Sequence, residues 1–147
     1  MATTNTLYTS FKQYVHDGTI DLDATNIYMA LVTSSYTFSA AHTIWDPGTN
    51  DAADPSYNEV ANGTGYTTGG AQLASHSVTA VRWDAADTTW TSLTKTFRYG
   101  IVYVNATVNS IVKPLICCIL FDSTPADIAI AGWDFTVQWN SSGLITF

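Results

Sequence analysis

The chain is 147 residues long, close to the commonest size of one domain, and a chain of about this length buries roughly 70% of its unfolded surface in one core. Charged residues make up 12% of the sequence, about half of the usual share, whereas 13% of the residues are aromatic and 23 are threonine. Threonine, aromatic and β-branched residues fit the half-buried surface of a sheet, so the composition predicts a β-rich protein.

Charge and hydropathy argue against two classes of partner. Twelve acidic residues outnumber five basic ones, and the formal charge of −7 repels phosphate backbones, which argues against direct nucleic-acid binding. The longest apolar stretch, at positions 115–121, is far shorter than the roughly 20 residues that span a bilayer. The N-terminus also lacks the basic and apolar segments of a signal peptide, so we expect a soluble protein that is made in a cytoplasm and does not contact a membrane.

The N-terminal residues have the spacing of a short amphipathic helix. Apolar side chains between Leu7 and Val15 follow the i, i+4, i+7, i+8 pattern of one helical face. Thr6 is the expected N-cap, and Gly18 is the expected end of the helix. Strands are then predicted at residues 19–22 and 27–32, with a turn at residues 23–26 between them.

A long segment rich in turn-forming residues follows, at positions 33–57. Loops of this length in compact domains usually have a function or are disordered, so the apolar residues within it need an explanation. Two interpretations stay open for these side chains: they cover one end of the core, or they contact a partner. The residues concerned are Tyr36, Phe38, Ile44 and Trp45.

The rest of the chain is predicted to form short strands separated by turns. Large apolar residues occupy every second position of residues 97–103, as in a strand with one covered face, and residues 115–121 are apolar on both faces. Further strands are predicted at residues 71–81, 134–139 and 144–147. We therefore predict an all-β fold, a single β-sandwich domain over residues 1–147 that is Ig-like or jelly-roll-like, with one short N-terminal helix and one long loop.

The glycine-rich stretch at positions 63–70 does not match a phosphate-binding loop. Thr68 stands where the third glycine of a dinucleotide fingerprint is required, and no Lys-Ser/Thr pair follows as in a P-loop. The expected role of these glycines is a structural loop that needs positive φ angles.

No catalytic residue, cofactor site or metal site is predicted. The histidines, His16, His42 and His76, occur in no nucleophile signature, and Cys117 and Cys118 lie in an apolar strand that raises a thiol pKa and disfavours a disulfide between neighbours. Paired carboxylates such as Asp51 with Asp54 match no calcium loop and are ordinary turn formers. We expect a protein that is not an enzyme and has no cofactor.

Two segments carry a resemblance to a known group of proteins. These are the G-x-G-Y-x-x-G-G element at positions 63–70 and the closing D-F-T-x-Q-W-x-x-x-G-L segment at positions 134–144. With the order of the other segments, the chain resembles small virion proteins of tailed bacteriophages over nearly its whole length. The resemblance implies a capsid decoration (cement) protein that binds the major capsid protein or another virion protein, as a homo-oligomer such as a trimer, and is located in the virion.

Two alternatives to a decoration protein remain open. The first is a structural component of the phage neck or tail fibre. The second is a carbohydrate-binding module in which Trp45, Trp83 or Trp133 is exposed and stacks on a sugar ring. For each tryptophan, the simpler expectation is packing in the core.

Overall fold

A computed structural model describes residues 3–23, 26–79 and 81–146, and these residues form twelve strands and one helix. The helix is α1 (Thr9–His16), and the strands are β1 (Thr4–Leu7), β2 (Ile27–Val32), β3 (Ala71–Gln72), β4 (Ser77–Thr79), β5 (Arg82–Asp84), β6 (Thr88–Phe97), β7 (Tyr99–Val104), β8 (Thr107–Val108), β9 (Ile111–Val112), β10 (Leu115–Leu120), β11 (Ile128–Val137) and β12 (Ile145–Thr146). The predicted all-β class and the single N-terminal helix are confirmed.

The centre of the fold is a five-stranded antiparallel sheet in the order β1-β10-β7-β2-β3. Its three inner strands, β10, β7 and β2, are buried on both faces over most of their length. Their sequences are nearly continuous runs of apolar residues, which is the pattern of a strand covered on two sides. The strands predicted at residues 27–32 and 115–121 are both found here.

The N-terminal helix begins later than the sequence indicates. Thr6 is not its N-cap, because it lies in β1 and pairs with Cys118 of β10. Tyr8 occupies the N-cap position without a capping side-chain hydrogen bond, and the helix is held by the burial of Phe11. Gly18 follows the last turn with φ +74°, as predicted for the end of the helix.

The expected strand at residues 19–22 is absent from the structure. The carboxylate of Asp17 accepts the backbone N–H of Thr19, and that of Asp21 accepts the N–H of Asp23. These local bonds replace the ladder of a sheet with two turns. The predicted turn at residues 23–26 lies partly outside the described residues, because it includes positions 24 and 25.

The predicted strand at residues 97–103 is divided by a sharp corner. β6 ends at Phe97 and β7 starts at Tyr99, while the backbone of Arg98 bonds to Val32 and Phe121. At the corner, the Arg98 guanidinium forms an ion pair of 2.7 Å with Asp127. The corner sends β6 away from the central sheet to pair with β11 in a separate two-stranded ribbon.

The ribbon packs on the central sheet through three phenylalanines. The ring of Phe135 in β11 lies 4.9 Å from Phe97 and 5.4 Å from Phe121, centroid to centroid, and all three pairs of rings meet near edge to face. Trp90 stacks on Phe135 at 6.1 Å. One continuous hydrophobic core therefore joins the ribbon to the sheet.

Shorter strands complete the fold. The segment predicted as one strand at residues 71–81 is interrupted, and its pieces belong to different sheets: β3 joins the central sheet, and β4 joins β5 and β12. Position 80 within it and Phe147 at the end of the last predicted strand lie outside the described residues. Between β2 and β3, residues 33–70 form only isolated bridges, so the loop is longer than predicted. No helix in the described part of the chain is long and apolar enough to cross a bilayer.

Candidate interaction surface

Of the four candidate contact residues of the long loop, Tyr36 and Trp45 belong to the core and Phe38 packs against it. Tyr36 is 1% exposed and Trp45 is 3% exposed, and the Trp45 indole stacks on the ring of Tyr103 at 4.5 Å with an angle of 8°. Phe38 and Ile44 are half-buried. Tyr36 and Trp45 therefore cover one end of the core, as the first interpretation expects. Contact of these four residues with a partner stays a prediction.

A hydrogen-bonded chain of aromatic side chains explains the inward position of Tyr36. Its hydroxyl shares a bond of 3.1 Å with the hydroxyl of Tyr8 and lies 2.7 Å from Nδ1 of His42. Burial raises the pKa of both tyrosines and lowers the pKa of His42. The network satisfies polar groups inside the core, as buried hydroxyls require.

The buried carboxylate of Asp54 stabilises a turn within the same loop. Asp54 is 0% exposed, and its carboxylate accepts the N–H of Asn50, the hydroxyl of Ser56 and the N–H of Tyr57. All three donors belong to the loop itself. The carboxylate of Asp54 therefore has a structural role. In the part of the chain that the structure describes, no group of three or more His, Cys, Asp or Glu side chains could hold a metal ion.

The glycine-rich stretch is a structural loop, as predicted. All four of its glycines, Gly63, Gly65, Gly69 and Gly70, have positive φ angles. Glu59 fixes the loop, because its carboxylate accepts both the Tyr66 hydroxyl and the Gly69 N–H at 2.6 Å. Burial raises the pKa of Glu59, and the two hydrogen bonds oppose that rise.

The surroundings of the two cysteines also indicate a structural role. Both are free and buried in β10. Burial raises the pKa of Cys118 to about 12 and raises that of Cys117 further. Neither thiol is activated as a nucleophile at neutral pH.

Among the residues that the structure describes, the most exposed large apolar side chain is that of Trp133 in β11, at 75%. It lies opposite Leu93 of β6 and between two irregularities in the register of the ribbon. Gly132 precedes it with φ +76°, a conformation typical of a bulge. The other two tryptophans considered as sugar platforms, Trp45 and Trp83, are buried, so that alternative is wrong for both of them.

Side-chain hydrogen bonds fix the ribbon on either side of Trp133. The Gly132 N–H donates to Oγ1 of Thr94, and the Ser92 N–H donates to Oδ1 of Asp134, both at 2.9 Å. At the end of the ribbon far from the Arg98 corner, the hydroxyls of Thr89 and Thr136 share a bond of 2.8 Å. Hydrogen bonds within the ribbon thus hold the backbone on both sides of the tryptophan.

Apart from Trp133, the exposed side chains of β6 and β11 are small and mostly uncharged. We call them together the ribbon surface: Thr89, Thr91, Ser92, Thr94, Thr96, Ala129, Ala131, Trp133, Asp134 and Thr136. The two strands of the ribbon contain one basic residue, Lys95, and one acidic residue, Asp134, and are neutral in sum although the chain has a formal charge of −7. A neutral surface with one large aromatic side chain is suited to contact with another macromolecule.

Comparison of the chain with protein-family models, with curated proteins and with solved structures found no match.

Proposed function

We propose that this chain is a structural protein of a tailed-bacteriophage virion, and that it decorates the outer surface of the head by binding the major capsid protein. The virion is suggested by the resemblance of the segments at positions 63–70 and 134–144 to small virion proteins. The contact is suggested by the ribbon surface. The observation that carries the proposal is the 75% exposure of Trp133 on a strand that hydrogen bonds hold on both sides.

The ribbon surface meets the energetic requirements of a binding site. Tryptophan is the residue type most enriched among side chains that dominate binding energy, and its ring loses little conformational freedom on contact. The threonine, serine and alanine side chains of the ribbon surface are short, so ordering them costs little. Because the ribbon is neutral in sum, an acidic partner surface would be repelled less here than by the rest of this acidic chain.

The architecture and the assembly are part of the same proposal. We take the fold as a sandwich in which the ribbon forms part of the second layer, in line with the contacts of Phe135 with Phe97 and Phe121. Three copies around a local three-fold axis of the capsid would form a closed homo-oligomer. A position in the neck or tail fibre is the competing arrangement, and the experiments distinguish it by location and copy number.

A binding assay with purified capsids tests the contact. Capsids of a phage that encodes this chain, prepared without it, are mixed with the wild-type protein, with Trp133→Ala or with Tyr57→Ala, and bound protein is measured by co-sedimentation. Tyr57 is the matched control, because it is a large aromatic residue that is 61% exposed but lies outside the ribbon. Removal of a dominant contact residue costs about 2 kcal/mol or more, so W133A should bind at least about 30-fold more weakly.

The outcomes separate the parts of the proposal. Y57A should bind like the wild type, and both variants should keep the wild-type circular dichroism spectrum and melting temperature within about 2 °C, since both side chains are exposed. Equal affinity of W133A and the wild type would rule out the ribbon surface as the contact. Failure of the wild-type protein to bind capsids, together with its recovery from necks or tails, would rule out the decoration role.

A further inference from the structure

A groove of about 380 Å³ lies between the edge strand β1, the end of β11 and the segment at positions 138–144. This size is within the range of small-molecule sites. Its floor is apolar and buried, and it includes Ile119, Phe121 and Leu144. The groove shares Thr136 with the ribbon surface, but Trp133 does not line it.

The rim of the groove consists of neutral hydrogen-bonding groups. None of its lining residues in the described part of the chain is charged, although the chain has a formal charge of −7. Among the described contacts, the amide of Gln138 has no partner, and Asn140 uses only its Oδ1, which accepts the N–H of Ser142. Asn5 donates from Nδ2 to the Leu144 carbonyl at 2.7 Å, which leaves its Oδ1 as an acceptor. The rim thus offers both donors and acceptors without a net charge.

Trp139 lines the same groove and is held in position by two hydrogen bonds. Its indole Nε1–H donates to the Ala86 carbonyl at 3.0 Å, and its backbone N–H donates to Oδ1 of Asp87 at 3.1 Å. The side chain is half-buried, so part of the indole remains accessible. A fixed and partly exposed aromatic ring beside amide groups is suited to a ligand that has both hydroxyl groups and apolar C–H faces.

We infer that this groove binds a neutral saccharide. Sugar hydroxyls match the free amide groups of Gln138 and Asn140, and the C–H face of a pyranose matches the Trp139 indole. The lack of basic side chains disfavours phosphorylated and acidic ligands, which need charge-assisted hydrogen bonds. The inference does not depend on the proposed virion role, and it differs from a site on Trp45, Trp83 or Trp133 in its location.

Titrations followed by ¹⁵N–¹H NMR on the full chain test this inference. The probes are neutral hexasaccharides of glucose, galactose and N-acetylglucosamine, with a hexasaccharide of galacturonate as the anionic control. At low millimolar concentration, at least one neutral probe should shift the indole N–H signal of Trp139 and the backbone signals of Asn5 and Gln138. The indole signal of Trp133 should not move.

Two variants connect the signals to the groove. Gln138→Ala should weaken the binding of the active probe by about 3- to 10-fold, the effect of one hydrogen bond. Gln13→Ala is the matched control, because Gln13 is an exposed glutamine on α1, outside the groove, and it should leave affinity unchanged. Both variants should retain the wild-type NMR spectrum elsewhere.

Three results would overturn the inference: no shift at the groove with any neutral probe, equal binding of the galacturonate probe, or equal affinity of Q138A and the wild type. An alternating Val-Thr peptide that shifts β1 signals while the neutral sugars do not would identify the groove as a strand-binding site instead. None of these results affects the capsid assay, so failure here is distinguishable from failure of the proposed function.

Discussion

Gly70 lies so close to β2 that an added methyl group cannot fit without movement of the backbone. A Cβ atom at this position would be 2.0 Å from the Met29 carbonyl oxygen and 2.6 Å from the Cα of Ala30. Gly70 also has φ +83°, which an alanine adopts only with strain. Gly70→Ala therefore combines a conformational penalty with a steric clash against an inner strand of the central sheet.

The size of the effect follows from these two terms. The left-handed backbone costs an alanine about 1–2 kcal/mol, and overpacking against a fixed neighbour adds about 1–3 kcal/mol. We expect G70A to lower the free energy of unfolding by about 2–5 kcal/mol in total. Gly132→Ala is the matched control, because its φ of +76° is similar and nothing lies within 4 Å of its added Cβ.

Urea denaturation followed by tryptophan fluorescence measures both variants. G132A should lose only the conformational term, about 1–2 kcal/mol, so the two variants should differ by the clash term of about 1–3 kcal/mol. Equal losses would mean that the loop at Gly70 moves away from β2 freely. In that case the close packing of the glycine-rich loop on the central sheet would not contribute to stability as described.

Three further predictions concern groups inside the fold. Burial raises the pKa of Glu59 above its ordinary value of 4.5, so its contribution to stability is complete below that value and is lost as pH rises through the higher folded-state pKa. Urea titrations between about pH 7 and pH 4 should therefore show the wild type gaining stability relative to Glu59→Gln as pH falls, and parallel curves would contradict this. Asp54→Ala removes the acceptor of three donors in the long loop and should cost about 2–4 kcal/mol of unfolding free energy, whereas a loss within experimental error would show that water replaces the carboxylate. Cys117 and Cys118 should react with a disulfide reagent at mildly alkaline pH only after denaturation, because burial raises both pKa values, and rapid labelling of the folded protein would refute this.

The inner strands of the central sheet were predictable because each is a run of consecutive apolar residues. The segments at residues 27–32 and 115–121 are apolar on both faces, so no knowledge of the rest of the chain is needed to identify them. The segment at residues 19–22 has alternating apolar residues too, but the neighbouring Asp17 and Asp21 form local turns. Side-chain competition of this kind is not visible in hydrophobic periodicity alone.

The position of Trp133 was harder to predict because the ribbon changes register around it. Ile128 and Ile130 pack against the core from even positions, whereas Phe135 and Val137 do so from odd positions. Two irregularities absorb this change of phase, and Trp133 lies between them. The change of phase, together with Gly132, is the signal in the sequence that could have indicated a bulge there.

The packing partners of the aromatic residues in the long loop could not be predicted from the sequence. Its aromatic residues pack on partners that are distant in sequence, as Trp45 does on Tyr103 and Tyr36 does on Tyr8. A segment without periodicity gives no indication of such partners. The burial of Tyr36 and Trp45 was therefore not predictable from the sequence.

The central claim is that the chain decorates a phage head through the ribbon surface, and a reconstruction of the virion by electron cryomicroscopy tests it most directly. We predict density for this fold on the outside of the head, repeated at every equivalent position of the capsid lattice, with Trp133 buried against the major capsid protein. Density confined to the neck or tail, or density on the head with Trp133 facing solvent, would contradict it.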